Sequence, residues 1–211
     1  MTSAKQSFKS TPFFAVLVLV IIAMVSGVIL SVLSDVLYVS DEERTNRALA
    51  KVYADDAGFD QMEINSAYES LEITYYNFKS KKEEKHTTKV TGVYKAKTDG
   101  TIIIEAQGAL GWKGNPVIMM AVKADGVIEK VIVSTFNGDD KTTSISAKYL
   151  DASYKGKNVH DNQKFTIQAG AEGVDVSAGA TAKTSMEAVA SAVSMAAYYA
   201  HNSGVLTGGA N

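Results

Sequence analysis

Eleven residues near the C-terminus, Asp175-Val176-Ser177-Ala178-Gly179-Ala180-Thr181-Ala182-Lys183-Thr184-Ser185, carry the residue types in this chain most able to do chemistry. Ser177, Ala178, Gly179 and Ala180 are small. A turn built from them leaves backbone amides and the Thr181 hydroxyl accessible. A helical pattern follows at Ser185 to His201, with Val189, Val193, Ala196, Ala197 and Ala200 on one stripe. Thr184 and Glu187 have the S/T-x-x-E spacing of a capping box, which predicts Thr184 as the N-cap. The start of a helix offers unpaired amides and the positive end of a dipole, and these favour an anion, phosphate above all. Lys183 adds a positive charge. On the residues alone two readings stand: a phosphate-accepting turn with one free threonine hydroxyl, or an ordinary capped helix after a loop.

Composition removes several other chemistries. The chain has no cysteine, which excludes disulfides, thiolate-held iron–sulfur clusters, Cys-rich zinc sites and a lipid-modified N-terminal cysteine. His86, His160 and His201 are scattered and show no metal-ligand spacing, so no metal site is expected. A net charge of -2 gives no electrostatic case for nucleic acid. Any redox cofactor would then be organic or held by a partner. The charged run Lys79 to Lys85, KSKKEEK, reads as a solvated loop.

The elements that must position the Asp175–Ser185 segment follow from hydrophobic pattern. Phe13 to Leu33 is an uncharged run of 21 residues. That length predicts a transmembrane helix. Lys5 and Lys9 precede it and Asp35, Asp41, Glu42 and Glu43 follow, so residues 1–12 are expected in the cytoplasm and the remainder outside. Asp41 to Tyr53 reads as a helix. Ile64 to Phe78 gives no clear state. Lys89–Lys97 and Thr101–Gln107, joined at Asp99-Gly100, read as one β-hairpin. Pro116–Lys123 and Val127–Thr135, joined at Ala124-Asp125-Gly126, read as a second. Between them Gly108, Gly111 and Gly114 surround Trp112, the only tryptophan. Asp139–Ile145 reads as a polar loop, Ser146–Tyr154 as a short helix with Ala147, Leu150 and Tyr154 on one side, and Lys164–Gln168 as a short strand. The expected organisation is an α+β chain: a cytoplasmic N-terminus at 1–12, a transmembrane helix at 13–34, and a membrane-proximal helix and connecting region at 35–87. A domain of β-hairpins packed with helices follows at 88–202, then a flexible tail at 203–211.

Asp175 to Thr181, DVSAGAT, resembles the flavinylation signature of FMN-binding domains, D-x-x-(S/T)-G-A-T. Asp175, Gly179 and Ala180 match it, and Ala178 stands where Ser or Thr is usual. Lys183 adds one residue before the Thr184-Ser185 pair. The order of elements over most of residues 88–200 is also similar, including Leu110-Gly111-Trp112-Lys113-Gly114 and Ala124-Asp125-Gly126-Val127-Ile128. Phe136 to Ile145 departs from the family, lacking its proline and paired glycines.

The resemblance is to the G subunit of Rnf-type ion-translocating ferredoxin:NAD oxidoreductases. It implies an FMN esterified through its phosphate to Thr181 by a flavin transferase. Asp175, Ser177, Gly179, Ala180, Lys183, Thr184, Ser185 and Trp112 would surround that cofactor. It implies a redox subunit without a complete active site of its own, at the cell membrane with an extracytoplasmic flavin domain, beside other membrane subunits and lipid. Two alternatives stand: the C subunit of the sodium-pumping NADH:quinone oxidoreductase, which is usually longer, and a membrane-anchored scaffold without redox chemistry.

Overall fold

A computed structural model describes residues 12–37, 41–55, 57–109, 111, 114–136, 145–180 and 182–207. The elements in chain order are α1 (Pro12–Leu37), α2 (Asp41–Val52), β1 (Phe59–Gln61), β2 (Ser70–Asn77), β3 (Lys82–Ala96), β4 (Ile102–Gln107), β5 (Val117–Val122), β6 (Ile128–Thr135), α3 (Ala147–Tyr154), β7 (Phe165–Thr166), β8 (Val174–Asp175) and α4 (Lys183–Asn202). A short 3-10 turn follows at Val205–Thr207. The chain divides into two units, residues 1–44 and residues 45–211.

The first unit is where the structure corrects the sequence reading. The apolar run does form a helix, α1. Among the described residues, however, no helix is long and apolar enough to cross a membrane, so the transmembrane helix expected at 13–34 is not borne out. Side chains of α1 are described for residues 16–30 only.

The second unit is built on an antiparallel sheet in the order β1-β3-β4-β5-β6, with β2 also paired to β3. Both expected hairpins are present. Lys95 pairs with Ile102 in the first, and Val122 with Ile128 in the second. The run TIIIEAQ reads as uniformly apolar because both faces of β4 are covered. Successive strand residues point to opposite faces, and Ile102, Ile104 and Ala106 face one core while Ile103 faces another. The larger core lies between the sheet and α4, with Leu150 and Tyr154 of α3 and Phe165 of β7. The smaller core is closed by Leu49 and Val52 of α2 over Ile103, Met119 and Ala121.

Several expectations change. Ile64–Phe78 contains a full strand, β2, and the charged run Lys79–Lys85 is not a loop throughout. It turns at Lys81 and then supplies the start of β3, with Asn77 opposite Lys82 and Tyr75 opposite Glu84. Leu71, Ile73 and Tyr75 alternate with exposed Ser70, Glu72 and Thr74 along β2. In α3, Ala147 is exposed, and Tyr149 and Ser153 are buried beside Leu150 and Tyr154. α4 buries far more than one stripe: Ala188, Ser191, Ala192, Ser194 and Met195 are buried as fully as Val189 and Val193. A helix covered nearly all round sits in the middle of a domain rather than on its surface. The tail is not wholly frayed, since Val205 and Leu206 join the larger core.

Candidate functional site

The candidate site is the turn between β8 and α4. β8 runs parallel to β7, with Val174 beside Phe165 and Asp175 beside Thr166. The Val174 N–H donates to Lys164 O at 2.8 Å and the Val176 N–H to Thr166 O at 2.9 Å. The strand therefore delivers Val176 into the core, 3% exposed, and the chain turns away immediately after it. The Ala180 N–H closes the turn on Ser177 O at 2.9 Å. Gly179 has φ +82°, a left-handed conformation that costs a side-chain-bearing residue roughly 1–2 kcal/mol. Ala178 and Gly179 are exposed, as the small residues suggest.

Asp175 is exposed, and its carboxylate accepts the Ser177 N–H at 2.8 Å. Hydrogen bonding from Ser177, side chain and backbone, holds this carboxyl below its ordinary value. It is anionic at neutral pH and organises the turn from within, as Asp commonly does two residues before a backbone N–H.

The expected capping box does not form. α4 begins at Lys183 with Ala182 as N-cap, and Ala182 has no side-chain oxygen to offer. Glu187 instead reaches into the core. Its carboxylate accepts the Thr166 hydroxyl at 2.9 Å and the Ile167 N–H at 2.7 Å. Burial raises its pKa, against the opposing effect of these two donors. The spacing fitted a cap, but two buried donors on the β7 segment made a better partner. Ser185 is buried, Thr184 is half-buried, and Lys183 is exposed with its Nζ 5.7 Å from the Phe78 ring centre.

Thr181 and Trp112 lie outside the described residues, as does the expected polar loop Asp139–Ile145 except for Ile145. The glycine segment before Trp112 is described in part. A Cβ at Gly108 would collide with the Ala188 carbonyl oxygen of α4 and stand 2.7 Å from Ser191 Oγ. The Ala109 N–H donates to that same Ser191 Oγ at 2.8 Å. Gly108 is thus required by close approach to α4, five residues along the helix from Lys183. Asp175, Ser177, Gly179, Ala180, Lys183, Thr184 and Ser185 share one contiguous stretch around the turn.

Residues not foreseen from sequence support this stretch. The Tyr149 hydroxyl donates to Val176 O at 2.8 Å. Ser194 Oγ accepts from the Phe165 N–H at 2.8 Å and from the Tyr75 hydroxyl at 2.7 Å. These residues looked like ordinary helix or strand positions, and no local pattern marks them. His160 and His201, far apart in sequence, meet with their Nδ1 atoms 3.1 Å apart. Among the described residues no group of three or more metal-capable side chains occurs.

The turn is exposed, built of small residues, and opens a 20-residue helix that has no side-chain N-cap. Compared with known proteins, the chain matches no protein-family model and no curated protein.

Proposed function

We propose that this chain is a covalent-FMN electron-transfer subunit of an ion-translocating ferredoxin:NAD oxidoreductase of Rnf type. The observation that carries the reading is the DVSAGAT turn. Its glycine adopts the positive φ that the motif's glycine permits, and it leads directly into α4 without a side-chain cap. A flavin phosphate esterified to Thr181 would sit where a helix terminus and Lys183 favour negative charge.

The tether requires an activated donor, since joining a free phosphate to an alcohol would release water into water. A flavin carrying a pyrophosphate supplies the activation. The Thr181 oxygen forms a bond to the flavin-side phosphorus, and the phosphorus–oxygen bond to the second phosphate breaks. That phosphate leaves as a monoester, and the hydroxyl proton passes to a base of the flavin transferase. No oxidation or reduction occurs in this step.

When bound, FMN would supply one- and two-electron transfer. The chain's own residues do the rest. Asp175 and Ser177 hold the turn, Gly179 permits it, and α4 fixes it to the core. The protein contributes a redox station and not a complete active site. It would work at the cell membrane with its flavin domain on the extracytoplasmic side, beside other subunits of the complex. α1 presents apolar side chains from Val16 to Leu30 at 36–66% exposure, a surface that such partners or lipid would cover.

The test is intact mass of the full chain produced with a flavin transferase, followed by peptide mapping. An FMN-sized addition on the Thr181 peptide, lost in Thr181→Val, is expected. An unmodified chain, in a preparation where another flavinylated subunit is modified, would favour a scaffold without redox chemistry.

A further inference from the structure

We propose that His160 and His201 form a two-histidine site for a divalent transition-metal ion of the zinc or copper class, a site independent of the flavin reading. The two residues are 41 positions apart in sequence, and the fold brings their Nδ1 atoms to 3.1 Å. Their rings meet edge to face, with centroids 5.3 Å apart and planes at 63°. Two imidazole nitrogens that share one ion at ~2.0–2.1 Å stand roughly 2.9 Å apart at a right angle and roughly 3.4 Å apart at the tetrahedral angle. The observed separation falls between these limits, so small rotations of the two rings would admit an ion.

Both imidazoles stand on rigid supports, as a preformed site requires. His160 lies on the loop after α3, and that loop is fastened to the turn between β5 and β6. Asn158 Nδ2 donates to Asp125 O at 2.9 Å, and the Val159 N–H donates to Gly126 O at 2.9 Å. Asn158 Oδ1 in turn accepts the His160 N–H at 2.8 Å. The Cδ2–Nε2 edge of the His160 ring lies on Gly126, where an added Cβ would stand 2.6 Å from Cδ2. That edge is opposite Nδ1, so the packing leaves Nδ1 facing His201. His201 belongs to the last turn of α4, where the negative end of the helix dipole favours a cation. Both residues are exposed, so an ion keeps water in its remaining positions. Imidazole suits zinc, copper and nickel, whereas magnesium and calcium prefer oxygen ligands. The competing account is a plain hydrogen bond, in which one Nδ1 donates and the other accepts.

The experiment titrates the full chain, in detergent and without a histidine tag, with Zn2+ by isothermal calorimetry at about pH 8, since neutral imidazole is the ligating form. One saturable equivalent is expected. Its affinity should fall at least about tenfold in His160→Ala and in His201→Ala alike, because each variant removes an imidazole held at high effective concentration beside the other. The third histidine, His86, lies 3.2 Å from Glu84 Oε2 on β3, and His86→Ala is expected to match wild type. Cu2+ bound to the wild-type chain is expected to show electron-spin coupling to two imidazole nitrogens, and to one in either variant of the pair.

No saturable equivalent in wild type, or unchanged affinity in either variant of the pair, would overturn the site and leave the hydrogen bond as the role of these residues. Equal weakening by His86→Ala would overturn it by placing the ion elsewhere. Coupling of Cu2+ to fewer than two imidazole nitrogens in the wild-type chain would overturn it whether or not the variants fold. None of these results bears on the flavin reading, which stands or falls on the mass of the Thr181 peptide.

Discussion

The two ends of one helical turn in α4 obey opposite rules. At its start the chain is exposed and small, held by two backbone hydrogen bonds, Ala180 to Ser177 and Met186 to Ala182, and by one surface carboxylate, Asp175, on the Ser177 N–H. One turn later Glu187 is 1% exposed and its carboxylate is fully occupied by Thr166 and Ile167. The first region spends little stability on side chains and keeps its surface open. The second closes every polar group it can. Sites that must receive a ligand are drawn from the weakly tied parts of a fold, while the parts that hold them cannot be.

Substitutions on either side of this divide should differ in kind. The largest stability effect is expected at Glu187. Glu187→Ala would strand the Thr166 hydroxyl and the Ile167 N–H in the core, at a cost of about 2–4 kcal/mol by urea denaturation. A cost near zero would show that the buried end is no more tightly tied than the open one. The same residue sets a pH slope. Its folded pKa is raised, so the folded protein holds the proton more tightly than the unfolded chain. The stability tied to it is complete below the ordinary glutamate value and is lost as pH rises through the raised value. Removing the carboxyl in Glu187→Ala should flatten that slope, measured as stability against pH from the ordinary glutamate value upward.

Gly108→Ala comes next. The new methyl would meet the Ala188 carbonyl and Ser191 Oγ, and overpacking of this kind costs roughly 1–3 kcal/mol. A neutral outcome would mean that α4 can shift away from the loop. Gly179→Ala lies on the open side and should cost only about 1 kcal/mol, since the strain of a positive φ is its sole source. The space around it is not crowded, with only the Tyr149 ring at contact distance. A loss as large as that at Glu187 would erase the distinction between the regions. Smallest is Tyr154→Phe. The Tyr154 hydroxyl has no partner at hydrogen-bond geometry among the described residues, so deleting it should change stability by only roughly 0–1 kcal/mol, read by urea denaturation.

Hairpins were legible because their information is local. Asp99-Gly100 and Asp125-Gly126 sit between strands of β-branched and apolar residues, and both turns form where that pattern places them. α4 was legible as a helix but not as a central one. Its serines and glutamate look polar in sequence, yet Ser191, Ser194 and Glu187 are buried against loops and strands up to 119 residues away. β2 was missed because the window Ile64–Phe78 begins with six residues outside the strand, which dilute the alternation of Leu71, Ile73 and Tyr75 with Ser70, Glu72 and Thr74. α1 was read as a membrane crossing from length and apolar content. The described helices include none that meets both requirements.

The sequence by itself determined the paired hairpins, the existence of α2, α3 and α4, the exclusion of cysteine chemistry, and the small-residue turn around Gly179. Each depends on neighbours within a few positions, through turn dihedrals, strand alternation or helical spacing. Only the tertiary structure decided that Glu187 leaves the cap for the core, that Gly108 yields space to α4, and that Tyr149 reaches the carbonyl before the turn. Those outcomes are competitions between a local partner and a distant one. The distant partner wins where burial would otherwise leave a donor or acceptor unpaired, a cost that no local pattern records.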